Sequence, residues 1–98
     1  MVINKRVIEF EWDKGNIGKN KKHDVSDKES EEVFFDTNKQ KYPDPSHSMS
    51  EIRKVIVGKT KNGRMLFVVY TERKNLIRII SVRDLSKRKE VDLYEKAA

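Results

Sequence analysis

Leu76-Ile77-Arg78-Ile79-Ile80-Ser81-Val82-Arg83 is the stretch of this chain that decides its fold. Its aliphatic and β-branched residues are typical of a buried strand, yet the same stretch carries two arginines and a serine. A buried guanidinium without a partner is unfavourable, so a strand of this composition usually presents its cations to an anion. We therefore expect a sheet strand that contributes to an anion-binding site.

The segments next to this strand predict a three-stranded meander. Strands are expected over Arg53 to Lys59, Met65 to Thr71 and Leu76 to Val82. Turns at Lys61-Asn62-Gly63 and Arg73-Lys74-Asn75 connect them, and connections this short force neighbouring strands to run antiparallel. The three segments are therefore expected to pair in one antiparallel sheet.

The N-terminal part of the chain alternates between apolar and polar residues over Arg6 to Trp12, which predicts a half-buried strand. Ile8, Phe10 and Trp12 share one face of this strand, and Val7, Glu9 and Glu11 share the other. Asp13 is placed to cap a short helix over Lys14 to His23, which Gly15 and Gly18 weaken.

A second helix is predicted by the capping box Ser26-Asp27-Lys28-Glu29 and runs to about Phe35. Residues 39–50 form a loop with room for a short strand around Lys41, and Ser86 to Ala98 form a C-terminal helix. The expected fold is a single α+β domain over residues 1–98. It contains a small antiparallel sheet with an N-terminal strand, two N-terminal helices on one side and a C-terminal helix.

Composition limits the classes of function. A chain of 98 residues has room for one small domain, and its net charge of +6 favours polyanionic partners such as RNA. The absence of cysteine excludes disulfides and thiolate metal sites. No apolar run is long enough for a membrane span, and the charged N-terminus does not resemble a secretory signal, so a cytoplasmic location is expected.

Several motifs are spread along nearly the whole chain. They are Phe10-Glu11-Trp12-Asp13, Asn20 with Lys22-His23, His47-Ser48 ahead of Glu51 and Arg53, Gly58, Gly63-Arg64, Tyr70-Thr71-Glu72-Arg73, Arg78 to Arg83, and Tyr94-Glu95. In this order and spacing they resemble the BrnT family of type II toxin–antitoxin systems, which are ribonuclease toxins with a RelE-like fold. The family usually has glycine where this chain has Asp24, at a position where a helix end needs a left-handed residue.

The resemblance implies an endoribonuclease toxin. Its partners would be an RNA substrate and a cognate, BrnA-like antitoxin that silences it in a hetero-oligomer, with promoter DNA bound only through the antitoxin complex. The residues leave two other classes open, a non-catalytic basic nucleic-acid-binding module and a protein-interaction domain that engages an acidic partner.

RNA cleavage without a metal uses the 2′-hydroxyl of the substrate as the nucleophile, so the protein must hold the phosphate and move protons. Arginine binds phosphate oxygens bidentately and stays charged, which makes Arg78 and Arg83 the leading candidates and Arg73 the next. Because the numbers of Arg78 and Arg83 differ by an odd count, a regular strand would place them on opposite faces. Both can serve one site only if the strand ends near Ser81 or bends there.

The pool for proton transfer is Lys22, His23 and Glu51, with Arg53 placed to hold the Glu51 carboxylate or to form a structural salt bridge with it. His23 is equally consistent with a surface histidine at a helix end. Further RNA contacts are expected from Lys14, Lys19, Lys21 and His47, although His47 also fits a plain turn residue.

Arg64 is expected to be exposed, and Trp12 and Tyr70 are expected to belong to the core. Two histidines and no cysteine make a zinc site improbable, and no cofactor is expected.

Overall fold

The structure, a computed structural model, describes residues 8–43, 52–85, 91–92 and 94–95. It contains a five-stranded sheet in the order β1-β5-β4-β3-β2. The strands are β1 (Glu9–Phe10), β2 (Gln40–Pro43), β3 (Arg53–Lys59), β4 (Met65–Arg73) and β5 (Leu76–Asp84). One α-helix, α1 (Asp27–Glu32), and two 3₁₀ helices, Lys19–His23 and Val33–Phe35, are also present in the described part of the chain.

The predicted meander is confirmed, because β3, β4 and β5 are consecutive antiparallel neighbours. The β4–β5 connection is tight, with left-handed backbone at Lys74 and Asn75 (φ 50° and 68°), as expected for a two-residue hairpin turn. The expectation of a purely antiparallel sheet is wrong, since β1 pairs with β5 in parallel. Only short connections fix the relative direction of two strands, and the long chain between β1 and β5 leaves it free.

The predicted helix over Lys14 to His23 is also wrong. Residues 14–18 form turns, and only Lys19–His23 is helical, as a 3₁₀ helix. Gly18 separates the two parts with a left-handed backbone (φ 67°), which a right-handed helix cannot contain. The segment is instead fixed by two buried asparagines, Asn16 and Asn20, which bond to the neighbouring strand.

The second predicted helix is confirmed in position and in its start signal. The Ser26 hydroxyl accepts from the Glu29 amide at 3.1 Å, and the Ser26 amide donates to Glu29 Oε1 at 3.0 Å. The α-helical part ends at Glu32 and a 3₁₀ turn continues it to Phe35. Burial of Val33 and Phe34 attaches this segment to the sheet.

The two faces of the sheet pack against different partners. One face, called the helix face here, holds the main core, in which the segment around α1 covers Ile56, Leu66, Val68, Tyr70, Ile79 and Val82. Trp12 and Tyr70 pack in this core, as expected. The opposite face holds a smaller cluster that includes Val55, Val57, Leu85 and Tyr94, so part of this face is packed as well.

The predicted C-terminal helix over residues 86–98 is not matched by a complete helix. Residues 86–90, 93 and 96–98 lie outside the described residues, and the described helical positions are Val91, Asp92, Tyr94 and Glu95. Tyr94 is buried, and its hydroxyl donates to Asp36 Oδ2 at 2.6 Å. This hydrogen bond anchors the C-terminal residues beside the end of the Val33–Phe35 turn.

The Tyr94–Asp36 hydrogen bond should make stability depend on alkaline pH. Burial, reinforced by the hydrogen bond to the Asp36 carboxylate and by its charge, raises the pKa of Tyr94 to about 12. Between pH 10 and 12 the unfolded tyrosine therefore ionises while the folded one keeps its proton, so the folded state loses stability as pH rises. We expect Tyr94→Phe to cost about 1 kcal/mol at neutral pH and to reduce this loss, as measured by urea unfolding. Part of the loss should stay, because burial also raises the pKa of Tyr70.

Tyr42→Phe is the matched control, because Tyr42 lies at the surface in β2. An equal fall in stability between pH 10 and 12 for Tyr94→Phe and for the parent protein would contradict the assignment.

Candidate functional site

Four arginines of the meander lie on the same face of the sheet, opposite to the helix face. In the register, Arg53 and Arg78 both pair with Thr71, and Arg83 pairs with Phe67. Directly paired residues share a face, and so do residues an even number apart in a regular strand, so Arg73 also belongs to this set. We call this surface, with Arg53, Arg73, Arg78 and Arg83, the arginine face.

An irregularity in β5 brings Arg78 and Arg83 to this common face. The register shifts between Val69, which pairs with Ser81, and Tyr70, which pairs with Ile79, so Ile80 is an extra residue. In a regular strand, the odd separation of Arg78 and Arg83 would place them on opposite faces. The extra residue between them brings both side chains to the same face. The condition expected from the sequence, a bend near Ser81, is therefore met by a β-bulge.

The middle of the arginine face is a row of three residues across three strands, Arg53, Thr71 and Arg78. With strands about 4.8 Å apart, the Cα atoms of the two arginines are about 10 Å apart, and the short side chain of Thr71 lies between them. The Thr71 hydroxyl donates to the carbonyl of Ile52 at 2.8 Å and so faces backbone. Arg53 and Arg78 therefore lie on either side of the buried Thr71, and we call the place between these two arginines the notch.

Arg53 differs from the other arginines in its hydrogen bonding. Its Nε is shielded from solvent and has no hydrogen-bond partner among the described residues. Leaving a buried charged donor unsatisfied is costly, and such a group in a native structure calls for an explanation. An anionic ligand in the notch would satisfy it.

Arg78 is held by two carboxylates that follow β1. Its Nη1 donates to Glu11 Oε1 at 2.9 Å and to Asp13 Oδ2 at 2.7 Å, and its Nη2 donates to Asp13 Oδ1 at 3.0 Å. The bond from Arg78 lowers the pKa of Asp13, and the Asp13 carboxylate raises the pKa of Arg78. Gly15 allows this close approach, since a Cβ there would lie 2.5 Å from Arg78 Nη2 and would displace the guanidinium.

Two further arginines of this face have aromatic or acidic neighbours. The Arg83 guanidinium lies 4.1 Å from the centre of the Phe67 ring, a distance typical of a cation–π contact. Arg73 Nη1 lies 3.7 Å from Glu11 Oε1.

Glu11 thus lies between Arg73 and Arg78, and both Glu11 and Asp13 were absent from the predicted site. The sequence did contain a signal for Glu11, because the alternation in the first strand places it on the face opposite to the core residues Phe10 and Trp12.

The basic segment before α1 lies along the part of the outer edge of β5 that β1 does not cover. Asn16 Nδ2 donates to the carbonyl of Ile79 at 3.1 Å, and Asn20 Oδ1 accepts from the amide of Val82 at 3.0 Å. These side chains replace the hydrogen bonds of a missing neighbouring strand. The predicted cations of this segment are all exposed, at Lys14, Lys19, Lys21, Lys22 and His23.

The sequence predicted that Arg64 would be exposed, but the structure shows that its side chain is half-buried and bonds to several segments of the chain. It forms a bidentate pair with Asp84 at 2.7 and 3.0 Å, and it also donates to the carbonyls of His23 and Asp24 and to Glu29. The pair with Arg64 lowers the pKa of Asp84 and raises that of Arg64. Asp24 takes the left-handed conformation (φ 57°) expected after His23. Arg64 therefore fixes the end of the 3₁₀ helix at the far end of β5.

The predicted site residues consequently fall into two groups. The arginine face brings together Arg53, Arg73, Arg78 and Arg83. His23 lies near Asp84, because Arg64 binds both, and Lys22 precedes His23 in the 3₁₀ helix. Glu51 and His47 lie outside the described residues. Within the described parts of the chain, no group of three or more His, Cys, Asp or Glu side chains is placed to hold a metal ion.

This fold and this site define a small basic α+β protein that presents a group of arginines on one face of its sheet. A family model described as the ribonuclease toxin BrnT of type II toxin–antitoxin systems matches residues 12–89. The match covers most of the chain, so the chain belongs to this family of ribonuclease toxins, which confirms the resemblance seen in its motifs. No curated protein matches the chain significantly. In the described part of the chain, none of the helices has the length and apolar character that a membrane crossing requires.

Proposed function

We propose that this protein is a metal-independent endoribonuclease that cleaves RNA on the arginine face and is silenced by a cognate antitoxin. The observation that carries the proposal is the row Arg53, Thr71 and Arg78, in which the Arg53 Nε is buried and has no hydrogen-bond partner among the described residues. A phosphate in the notch would supply the acceptor that Arg53 lacks. Membership of the family of ribonuclease toxins supports RNA as the source of this phosphate.

The reaction requires little of the protein beyond positioning and charge stabilisation. The 2′-hydroxyl of the substrate attacks the adjacent phosphorus, and negative charge accumulates on the phosphoryl oxygens in the transition state. Guanidinium groups that are already in place stabilise this charge without reorganisation, which is usually the largest catalytic contribution. Arg53 and Arg78 occupy the two sides of the notch, and Arg83 and Arg73 extend the positive surface along the strands.

The distribution of charge supports an approach of RNA from this side. The helix face is covered by α1, whose six residues include four acids, Asp27, Glu29, Glu31 and Glu32. The edge of β5 next to the arginine face carries the exposed cations of the Lys14 to His23 segment. A polyanion is therefore attracted to the arginine face and the basic edge, and repelled from α1.

The proposed function also includes an antitoxin partner and the promoter DNA that the antitoxin complex binds. A partner that covers the arginine face would silence cleavage, and an acidic segment suits it, because Glu11 and Asp13 already bind Arg78 in this way. Binding of promoter DNA is assigned to the antitoxin complex and not to the toxin alone. The proposal places the protein in the cytoplasm with its RNA substrate.

Cleavage is expected to be unaffected by removal of metal ions. Purified full-length protein should cleave a labelled mixed-sequence RNA at the same rate in excess EDTA and in Mg²⁺, and should leave products that end in a 2′,3′-cyclic phosphate. The control for contaminating ribonuclease is an Arg53→Met, Arg83→Ala double variant purified in parallel, which should be inactive. Loss of cleavage in EDTA with recovery on adding Mg²⁺ would refute metal independence. RNA binding with a steep salt dependence and no cleavage would indicate a non-catalytic binding module.

A further inference from the structure

Glu11 places a carboxylate on the arginine face. Its backbone amide donates to the carbonyl of Ile77 at 2.8 Å, so the parallel pairing of β1 with β5 continues through this residue. The neighbours Phe10 and Trp12 pack against the core of the helix face, which directs the Glu11 side chain to the other face. There it contacts Arg78 at 2.9 Å and lies 3.7 Å from Arg73.

Glu11 and Asp13 both contact Arg78, but only one of them keeps an unused oxygen. Asp13 uses both oxygens on Arg78, and its Oδ1 also accepts from the Gly15 amide at 2.7 Å. Glu11 uses Oε1 alone, and its Oε2 has no hydrogen-bond partner among the described residues. Asp13 is therefore suited to orient Arg78, whereas Glu11 can still accept a proton.

The other candidates for proton transfer that the structure describes, Lys22 and His23, lie away from the notch. The backbone carbonyl of His23 and the Asp84 carboxylate are bound by the same Arg64 guanidinium, so His23 lies near the end of β5. Arg78 is six positions earlier in this strand, a distance of roughly 17–20 Å along an extended chain. Among the described residues, Glu11 and Asp13 are the only carboxylates with a hydrogen bond to an arginine of this face.

We propose that Glu11 is the catalytic residue that accepts the proton of the attacking 2′-hydroxyl. The inference rests on the proposed ribonuclease function and names one of its catalytic groups. The 2′-O–H bond breaks as its proton passes to Glu11 Oε2, and the 2′-oxygen forms a new bond to phosphorus. The bond from phosphorus to the 5′-oxygen breaks, the leaving 5′-oxygen takes a proton from water, and a 2′,3′-cyclic phosphate remains. The ion pairs with Arg78 and Arg73 hold the Glu11 carboxylate beside the notch.

The test is single-turnover cleavage of RNA in EDTA by the full-length protein and by Glu11→Gln, with RNA affinity measured in parallel. Loss of a general base is expected to slow the cleavage step by about 10²–10⁴-fold. RNA affinity should be equal or higher, because the substitution removes a negative charge from the binding surface. Glu9→Gln is the matched control, since Glu9 lies in the same strand and forms no ion pair with an arginine of the arginine face among the described residues.

A second variant separates catalysis from positioning. If Glu11 only orients Arg78, Glu11→Ala would lower RNA affinity and cleavage together, and this result would overturn the inference. If Glu11 accepts the proton, added formate should restore part of the cleavage rate of Glu11→Ala without changing RNA affinity. Unchanged cleavage by Glu11→Gln beside an active parent would also overturn the inference while leaving the proposed function intact. An inactive parent protein would overturn both.

Discussion

Replacing Arg53 by methionine is expected to lower the rate of RNA cleavage by about 10²–10³-fold without destabilising the fold. Methionine keeps an unbranched apolar stem of similar length and removes the guanidinium. The Arg53 Nε is buried without a partner in the described structure, so its removal relieves an unfavourable group. Activity and stability should therefore move in opposite directions, as is common at functional sites.

The matched control for this experiment is Lys54→Met. Lys54 is the next residue of β3 and pairs with Tyr70, so its side chain lies on the helix face, where it forms an exposed ion pair with Glu72 at 3.4 Å. Exposed pairs of this kind contribute little, so this variant should keep both activity and stability. Single-turnover cleavage and urea unfolding of both variants provide the measurement. Full activity of Arg53→Met, or a clear loss of its stability, would argue for a structural role and against the phosphate notch.

Replacing Asn16 by alanine is expected to reduce the free energy of unfolding by about 2–4 kcal/mol. The Asn16 side chain is buried and forms three hydrogen bonds, with the Asp13 amide and with the carbonyls of Glu11 and Ile79. Alanine would leave these backbone groups without partners at the edge of β5. For a domain of this size, each kcal/mol lowers the melting temperature by about 4–8 °C.

The same substitution should also reduce cleavage, because Asn16 fixes the turn that brings Glu11 and Asp13 to Arg78. Asn38→Ala is the control, since Asn38 is exposed and its backbone amide, which donates to Asp36 Oδ1, is kept by alanine. Equal midpoints of urea unfolding for the two variants would show that Asn16 does not hold the edge of the sheet.

Local patterns in the sequence determined most of the elements. Alternation and short turns specified β3, β4 and β5, and the capping box at Ser26 specified the start of α1, because these signals act over a few residues. The same alternation placed Phe10 and Trp12 in the core and Glu11 on the other face. Motif order was sufficient to indicate the family, and residues 12–89 match its model.

The helix predicted over Lys14 to His23 shows where local patterns fail. Asp13 as a cap favoured a helix, which Gly15 and Gly18 made marginal. The side chains of Asn16 and Asn20 instead form hydrogen bonds with backbone groups of β5, and these bonds stabilise the turn and the 3₁₀ helix. The partner groups are more than 60 residues away in the chain, at Ile79 and Val82. No window of sequence around residue 20 contains them.

Local sequence signals were sufficient to predict the strands of the meander, the capped helix, the positive charge and the arginines that a phosphate site requires. How these arginines combine depends on the three-dimensional arrangement of the strands. The β-bulge at Ile80 turns Arg78 and Arg83 to one face, the strand register places Arg53 opposite to Thr71, and the parallel pairing of β1 brings Glu11 to Arg78. The physical reason is that element formation depends on neighbours in the chain, whereas register, strand direction and bulges depend on contacts between distant segments.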